Sequence, residues 1–317
     1  MREAIQSRGR LAGHPLWARV LASTELFART VLPVVVSSAV EDREKLEGVP
    51  WLERLSLTEV VREARAASVA GLAGLLLLGA SERKDEHALL ASEPDHALPR
   101  AIRAVKEATP DVAVATDVCV CAYTAHGQCV LFGERGPDVP ATLERIVSIA
   151  LLHAGAGADL LIVSGMLDGT VTAVRTALAA AGRDEVPVAS LLKLESALDV
   201  TQRSVVQALP IAERAVQLLP AADAAAAVAR ARREMADGAD AVIVQPGAPG
   251  LDIVARLATF SDRPIASYFT ADEHVLFAAA AEGALDSVAA EREHLAAARR
   301  AGASLVVSWG ARSATEP

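Results

Sequence analysis

A short phrase that recurs along the chain constrains the fold more than any other feature of the sequence. In it, a helical segment ends in Gly, a small residue or Asp follows, and at least four apolar residues come next. Gly suits the left-handed position that closes a helix, and an apolar run without alternation suits a strand buried on both faces. The phrase occurs at 71–80, 156–165, 237–247 and 301–310. Four further apolar runs fill the intervals, at 31–37, 112–120, 186–192 and 264–270.

Ala-rich segments with helical periodicity lie between these runs, so the sequence predicts eight strands that alternate with helices. Such alternation is compatible with an open doubly wound sheet or with a closed barrel. No G-x-G-x-x-G motif follows the first strand, and eight units match the number that closes a barrel. We therefore predict an α/β protein with a TIM (β/α)8 barrel domain at 31–317 and an N-terminal arm at 1–30. The arm is either disordered or packed on a neighbouring subunit.

Composition excludes several classes of function. Apolar residues make up 52% of the chain and aromatic residues 3%, which is typical of buried parallel strands and their covering helices. The net charge of -9 provides no basic stripe for nucleic acid. The longest apolar stretch, 69–80, is shorter than the roughly 20 residues of a membrane helix, and no signal-peptide pattern is present. We expect a cytoplasmic protein that binds neither nucleic acid nor a membrane.

In a barrel the chemistry lies at the carboxyl ends of the strands, so those ends indicate candidate site residues without any alignment. From the third strand to the eighth they carry Cys119, Cys121, Ser164, Asp168, Lys193, Gln245, Tyr268 and Trp309. Asp117, also at the end of the third strand, either orients the cysteine loop or meets an amino group. In its simplest structural role it accepts a hydrogen bond in a turn.

All three cysteines of the chain, Cys119, Cys121 and Cys129, fall in one segment with C-x-C-x7-C spacing. Three thiolates at about 2.3 Å from a zinc ion fill most of a tetrahedral shell and leave the fourth position for water or substrate. We therefore predict Zn²⁺ as a cofactor; the alternative is a group of small buried thiols. His126 in the same segment is a fourth ligand, a substrate contact or a solvent-facing turn residue.

The cysteine segment, TDVCVCAYTAHGQC at 116–129, resembles the T-D-V-C-x-C-x-Y-T-x-H-G-x-C motif of zinc-dependent porphobilinogen synthases, the δ-aminolevulinic acid dehydratase family. In that family two molecules of 5-aminolevulinate form Schiff bases with two lysines, and zinc assists their condensation to a pyrrole. The resemblance implies the same barrel, a small-molecule substrate and a homo-oligomer assembled through the arm. It extends over nearly the whole chain, through the segments 84–87, 164–169, 245–253 and 266–268.

Lys193 matches the lysine of the family's fifth strand, because Ser196, Ala197 and Arg203 follow it at the family's offsets. The alternative is a surface lysine at a strand end. If zinc and Arg203 lie nearby, burial and like charge should lower the pKa of Lys193. The resemblance implies catalytic roles for Lys193, Asp117, Ser164 and Asp168, and substrate-binding roles for Arg203, Gln245, Tyr268 and Trp309.

The chain departs from the family pattern in the pocket. The family's sixth strand ends in V-K-P, whereas this chain has Gln245 before Pro246, and an amide cannot form an imine. A second arginine of the family's lid falls on Glu213. The other departures are Gly165 for an aspartate, Thr170 for an arginine, Ala271 for a serine and Trp309 for a tyrosine.

Three functions are compatible with these residues. In the first, a repurposed enzyme uses Lys193 as a Schiff-base lysine on one small carbonyl or amino-ketone substrate, with porphobilinogen synthesis impaired or absent. The second is a non-catalytic paralogue, a metal-binding or regulatory assembly partner, which fits the loss of several pocket residues. The third is a genuine δ-aminolevulinate dehydratase, which fits the cysteines but not Gln245. We favour the first, because an open metal site is retained beside Lys193 and Arg203.

Overall fold

A computed structural model describes residues 9–81, 83–206, 218–281 and 285–315. Its strands are β1 (Thr30–Val36), β2 (Arg43–Leu46), β3 (Val49–Leu55), β4 (Gly74–Gly79), β5 (Ala113–Val118), β6 (Leu131–Gly133), β7 (Gly136–Asp138), β8 (Leu160–Val163), β9 (Val188–Lys193), β10 (Ala241–Gln245), β11 (Ile265–Phe269) and β12 (Leu305–Ser308). Its helices are α1 (Gly9–Gly13), α2 (Pro15–Ala22), α3 (Leu57–Val69), α4 (Ala97–Ala108), α5 (Val139–Ala156), α6 (Thr170–Ala180), α7 (Val200–Val205), α8 (Ala224–Ala236), α9 (Leu251–Ala258), α10 (Ala271–Ala281), α11 (Ser287–Ala301) and α12 (Ala311–Ala314). Among these helices none combines the length and the apolar character needed to cross a membrane.

Eight strands form one closed parallel sheet in the order β1, β4, β5, β8, β9, β10, β11 and β12. The last strand closes the sheet by pairing with the first, with Thr30 opposite Val306 and Val31 opposite Val307. Every residue of β1, β4, β8, β10, β11 and β12 is buried, which explains why these strands read as apolar runs without alternation. The predicted (β/α)8 barrel is therefore confirmed. Each of the eight predicted runs overlaps one barrel strand, although β1 begins one residue before its run and β9 ends one residue after its run.

The recurring phrase joins each helix to the next strand in a specific way. Gly157 ends α5 with φ 104°, a left-handed conformation that glycine adopts without a steric penalty. Two residues later the buried Asp159 carboxylate accepts a hydrogen bond of 2.8 Å from the backbone N–H of Val114 on the neighbouring strand. Asp240 repeats this contact with the N–H of Val188 at 2.9 Å. The Asp of the phrase thus ties adjacent strands together at the amino-terminal end of the barrel.

The described part of the arm closes the amino-terminal end of the chain's own barrel. Trp17 of α2 is fully buried, lines a small cavity at the base of the barrel and donates a hydrogen bond of 2.8 Å from Nε1 to the carbonyl of Asp159. The backbone N–H of Arg10 donates to Asp240 at 3.1 Å, and the Arg10 guanidinium pairs with Asp184 at 2.9 Å. Residues 9–22 therefore contact this barrel, whereas residues 1–8 lie outside the described part.

Two pairs of short strands were not predicted from the sequence. Between β1 and α3, strand β2 runs antiparallel to β3, and the end of β3 pairs with the end of β1. The charged side chain of Arg43 on β2 is held there by Glu53, Glu59 and Glu63 at 3.0, 2.6 and 2.5 Å. The hairpin β6–β7 lies between the cysteine segment and α5. Both pairs are short and polar, so they lack the apolar pattern that marks the barrel strands.

Candidate active site at the mouth of the barrel

The carboxyl ends of the strands surround a cavity of about 50 Å³. Strands β5, β9, β10 and β11 and the residue that follows β8 contribute one polar side chain each, and the segment after β9 contributes two more, from the loop and from helix α7. The sequence-predicted residues that line this cavity are Asp117, Cys121, Ser164, Lys193, Arg203, Gln245 and Tyr268. The structure therefore brings seven of the candidates together around one cavity, which is the outcome expected for residues at the ends of parallel strands.

Cys119, Cys121 and Cys129 form a buried group, here called the cysteine centre. Their sulfur atoms all lie within 4.8 Å of one another, and the Sγ atoms of Cys119 and Cys121 are 3.4 Å apart. Sulfurs at about 2.3 Å from a tetrahedral zinc ion would be about 3.8 Å apart, so the three side chains need little movement to share one ion. The cysteine centre can therefore hold a metal ion.

The charge of the cysteine centre is concentrated on Cys129. Hydrogen bonds from Cys119 and Cys121 hold the pKa of Cys129 well below its ordinary value, and the nearby cations of Lys193 and Arg203 add to this effect against the opposing influence of burial. A buried thiolate that two further thiols contact is a suitable environment for a soft metal cation. Arg203 also donates a hydrogen bond to the carbonyl of Gly127, which fixes the loop that carries Cys129.

Asp117 and Ser164 form a hydrogen-bonded pair on the cavity wall. The Ser164 hydroxyl donates to Asp117 Oδ1 at 2.5 Å. Burial raises the pKa of Asp117 to about 6, although the Ser164 hydrogen bond and the charge of Lys193 oppose the shift. A carboxyl group with a pKa near neutrality can both give and take a proton, so this pair is suited to acid–base chemistry.

Lys193 and Gln245 are paired residues at the ends of β9 and β10, so their side chains leave adjacent strands at the same level. Gln245 Nε2 donates to Asp199 Oδ1 at 3.3 Å. Burial acts to lower the pKa of Lys193, but the negative charges of Cys129 and Asp199 outweigh it and raise this pKa above its ordinary value. The expectation of a lowered Lys193 pKa assumes a zinc ion beside the lysine, so it stays a prediction for the metal-bound protein; the raised pKa is that of the site without a metal ion.

Two candidates lie away from the cavity. The Asp168 side chain is 70% exposed and pairs with Arg230 at 2.7 Å and Arg233 at 2.9 Å. These cations of α8 hold its carboxylate on the surface, so the prediction that Asp168 lies with the catalytic residues is wrong. Trp309 lines a separate cavity of about 120 Å³ under the β2–β3 pair, beside Arg43. Its position at the end of a strand therefore does not bring it into the cavity that Lys193 lines.

The other positions that the sequence analysis named either make structural contacts or lie outside the described residues. His126 accepts a hydrogen bond from the Gln128 N–H at 3.1 Å and packs edge-on against Phe132, so the described geometry gives it a turn role outside the cysteine centre. Thr170 begins α6 and is buried, and its hydroxyl donates to the Leu167 carbonyl at 2.8 Å. Glu213 lies outside the described residues.

Sequence reasoning missed Asp199 and the role of Lys84. Asp199 also lines the cavity; the available signal was an acidic residue in the loop that follows the Lys193 strand. Lys84 Nζ donates to the carbonyl of Ala122 at 2.6 Å, and the N–H of Asp85 donates to the carbonyl of Tyr123 at 3.2 Å. The segment that begins at Lys84 therefore supports the loop of the cysteine centre from outside the cavity.

The chain has four lysines in all: Lys45, Lys84, Lys106 and Lys193. All four are described, and Lys193 alone lines the cavity. Lys45 is exposed on β2, Lys84 contacts the cysteine loop, and Lys106 pairs with Asp159 at 2.7 Å at the base of the barrel. The cavity therefore offers one amine to a carbonyl compound.

Fold and site together define a class: a parallel (β/α)8 barrel with a three-cysteine centre and a single lysine at its mouth. The chain belongs to the delta-aminolevulinic acid dehydratase family, whose model matches residues 6–316. It is 31% identical to the delta-aminolevulinic acid dehydratase of Escherichia coli, over 100% of this chain and 98% of that one. It is 33% identical to that of Streptomyces coelicolor, over 95% and 94%. The Toxoplasma gondii enzyme in complex with porphobilinogen superposes with a TM-score of 0.87 at 26% identity, covering 96% of this chain and 89% of that one.

Proposed function

We propose that this protein is an enzyme that uses Lys193 as a Schiff-base lysine on one small carbonyl or amino-ketone substrate, and that it forms porphobilinogen poorly or not at all. The observation that supports the proposal most directly is the number of lysine amines that line the cavity. Lys193 lines it, and Gln245 occupies the adjacent strand end, opposite Lys193 in the strand register. One amine supports one imine, whereas the resemblance implies two for the condensation.

The chemistry at Lys193 follows from the groups around it. The Lys193 ammonium first gives one proton to solvent. The neutral nitrogen then bonds to the carbonyl carbon, and the carbonyl oxygen leaves as water with the two remaining amine hydrogens, which leaves a C=N bond. Asp117 and Ser164 share the cavity and their short hydrogen bond, so they can pass a proton to the departing oxygen. Arg203 and Tyr268 line the same cavity and provide hydrogen-bond donors that orient the substrate.

We propose zinc as the ion held by Cys119, Cys121 and Cys129. Three thiolates with an open fourth position are typical of catalytic zinc sites, and a bound zinc would supply a Lewis acid beside Lys193. A cytoplasmic location and assembly into a homo-oligomer belong to the same proposal, through the resemblance to the family.

Borohydride trapping tests the proposal. The protein is incubated with a panel of amino ketones and keto acids, reduced, digested and mapped by mass spectrometry. We expect an adduct on Lys193, heavier by the mass of the compound less one oxygen atom, and none on Lys45 or Lys106, which are matched internal controls. Absence of any adduct on Lys193 across the panel would contradict the proposal and favour the non-catalytic paralogue.

A genuine dehydratase is the second candidate, and a specific observation favours it: relatives 31–33% identical over nearly the full length carry that name. Porphobilinogen formation separates the two candidates. A normal enzymatic rate from 5-aminolevulinate would establish the genuine dehydratase, whereas trapping at Lys193 without porphobilinogen would establish the repurposed enzyme.

A further inference from the structure

Helix α7 carries Arg203 to the cysteine loop at the mouth of the barrel. Arg203 is buried, lines the cavity and donates a hydrogen bond to the carbonyl of Gly127. Gly127 lies two residues before Cys129 in the sequence. The position of α7 therefore determines whether this guanidinium reaches the loop that holds one of the three sulfurs of the cysteine centre.

The ends of α7 depend on partners from elsewhere in the fold. The helix has six residues, and isolated helices as short as this are marginal in water. The first N–H groups and the last carbonyls of any helix have no partner within it. In the described part of the chain the side chain of Asp199, at the N-cap, does not cap the first turn. Other elements must therefore supply the partners that fix α7.

Two charged side chains meet the ends of α7. Asp272 of α10 accepts a hydrogen bond of 2.9 Å from the backbone N–H of Thr201 at the start of the helix. At the other end, Arg54 of β3 donates from Nε to the carbonyl of Val205 at 2.9 Å and from Nη2 to the carbonyl of Ser204 at 3.0 Å. An anion at the N-terminus and a cation at the C-terminus also complement the helix dipole. Helix α7 is thus tied to β3 at one end and to α10 at the other.

These hydrogen bonds provide directional control that apolar packing does not. Val205 is buried in the core and holds α7 on the barrel, but apolar contacts are non-directional. Hydrogen bonds require alignment of donor and acceptor, so bonds at both ends restrict the rotation of the helix about its axis. That rotation sets the direction in which the Arg203 side chain leaves the helix.

We infer that Arg54 and Asp272 are positioning residues of the cysteine centre, and that they act through Arg203 on the loop that carries Cys129. The inference rests on the zinc site of the proposed function. Residues that orient the surroundings of metal ligands typically change metal affinity by about 10–100-fold when they are lost. The β2–β3 pair, which the apolar pattern of the sequence did not reveal, thereby has a role in the site.

Zinc affinity tests the inference. It is measured on the reduced full-length chain by competition with a chromophoric chelator, and far-UV circular dichroism verifies that each variant is folded. Arg54→Met should weaken zinc binding by about tenfold, although Arg54 lies outside the set of residues that line the described cavity. Asp272→Ala should weaken it similarly. Asp272→Asn keeps an oxygen acceptor for the Thr201 N–H and should restore most of the affinity.

A double variant shows whether Arg54 acts through Arg203. If it does, Arg54→Met combined with Arg203→Met should bind zinc as weakly as Arg203→Met alone, because the second substitution has nothing left to displace.

Glu44→Gln is the matched control. Glu44 pairs with Nη1 of Arg54 at 2.8 Å, so this substitution removes a neighbouring charge and leaves the two bonds to α7 in place. It should keep the affinity of the parent. An effect of charge alone would instead shift the affinities of Arg54→Met and Glu44→Gln in opposite directions.

The outcomes separate this inference from the proposed function. Unchanged zinc affinity in Arg54→Met and Asp272→Ala, losses that multiply in the double variant, or opposite shifts in Arg54→Met and Glu44→Gln overturn the inference and leave the zinc site in place. Should Arg54→Met fail to fold, equal affinities of Asp272→Ala and Asp272→Asn overturn it. Failure of the parent chain to bind zinc overturns the proposed zinc site, and this inference with it.

Discussion

Cys129 and its two thiol partners act as one group, since the low pKa of Cys129 depends on hydrogen bonds from Cys119 and Cys121. Removal of one sulfur therefore alters the charge of the other two. The sequence could indicate this centre because all three cysteines lie within eleven positions, and the fold keeps them together by placing them in one loop at the end of β5. The metal content of the protein tests this grouping directly.

We expect the purified protein to bind about one zinc per chain through these three sulfurs. A triple Cys→Ser variant should fall to background in metal analysis, because a neutral hydroxyl is a poor substitute for a thiolate ligand. His126→Ala is the control and should keep its zinc, since His126 lies outside the group of sulfurs. Full zinc content in the triple variant would show that the metal is bound elsewhere.

His153 should make the protein sensitive to acid. It is buried with Nδ1 3.2 Å from Thr116 Oγ1, and burial lowers its pKa to about 3. Below the ordinary value of about 6.5 the unfolded chain takes up a proton at this site while the folded chain does not, so stability falls as the pH drops from about 6.5 towards 3.

The variant His153→Gln should remove this effect. Between pH 7 and pH 5 its free energy of unfolding, measured with urea, should fall by about 2 kcal/mol less than that of the parent protein. His87→Gln is the control, because His87 is exposed, and it should behave as the parent does. An unchanged pH dependence in His153→Gln would contradict the buried neutral state.

Among the elements, helix α2 places one large side chain, Trp17, at the base of the barrel. Trp17 fills the base of the barrel, and Trp17→Ala should lower the free energy of unfolding by about 3–5 kcal/mol because it opens a cavity and removes the hydrogen bond to Asp159. Trp51→Ala on β3 is the matched control: Trp51 is 37% exposed, so its loss should be clearly smaller. Thermal or urea unfolding measures both free energies. Equal decreases in the two variants would contradict the role of Trp17 in closing the base of the barrel.

The barrel strands were predictable because burial on both faces imposes an apolar run, as in β4, where every position is buried. The β2–β3 pair was not, because Arg43 is stabilised there by carboxylates that are distant in sequence. The same limit applies to the site. The positions of Lys193 and Gln245 could be predicted because both residues lie at strand ends. The position of Asp168 depends on arginines of α8, and that of Asp199 depends on the path of a loop, and neither could be predicted from the strands.

For the whole molecule, we expect little or no porphobilinogen from 5-aminolevulinate. The variant Gln245→Lys alone should not restore synthesis, because residues of a pocket act as a unit and Gly165, Thr170, Ala271 and Trp309 also differ from the family pattern. Trp309 in particular lines a different cavity. The assay requires protein free of the host's own synthase, and turnover at a normal rate in the unmodified chain would defeat the argument from Gln245.

The position of Trp17 also determines how substrate and product reach and leave the cavity. Trp17 closes the base of the barrel. In the described part of the chain, substrate and product therefore enter and leave the cavity through the same opening at the strand ends. A new substrate molecule can bind only after the product has left the cavity. Product added to the assay should therefore compete with the substrate for this one cavity, raising the apparent KM while leaving kcat unchanged.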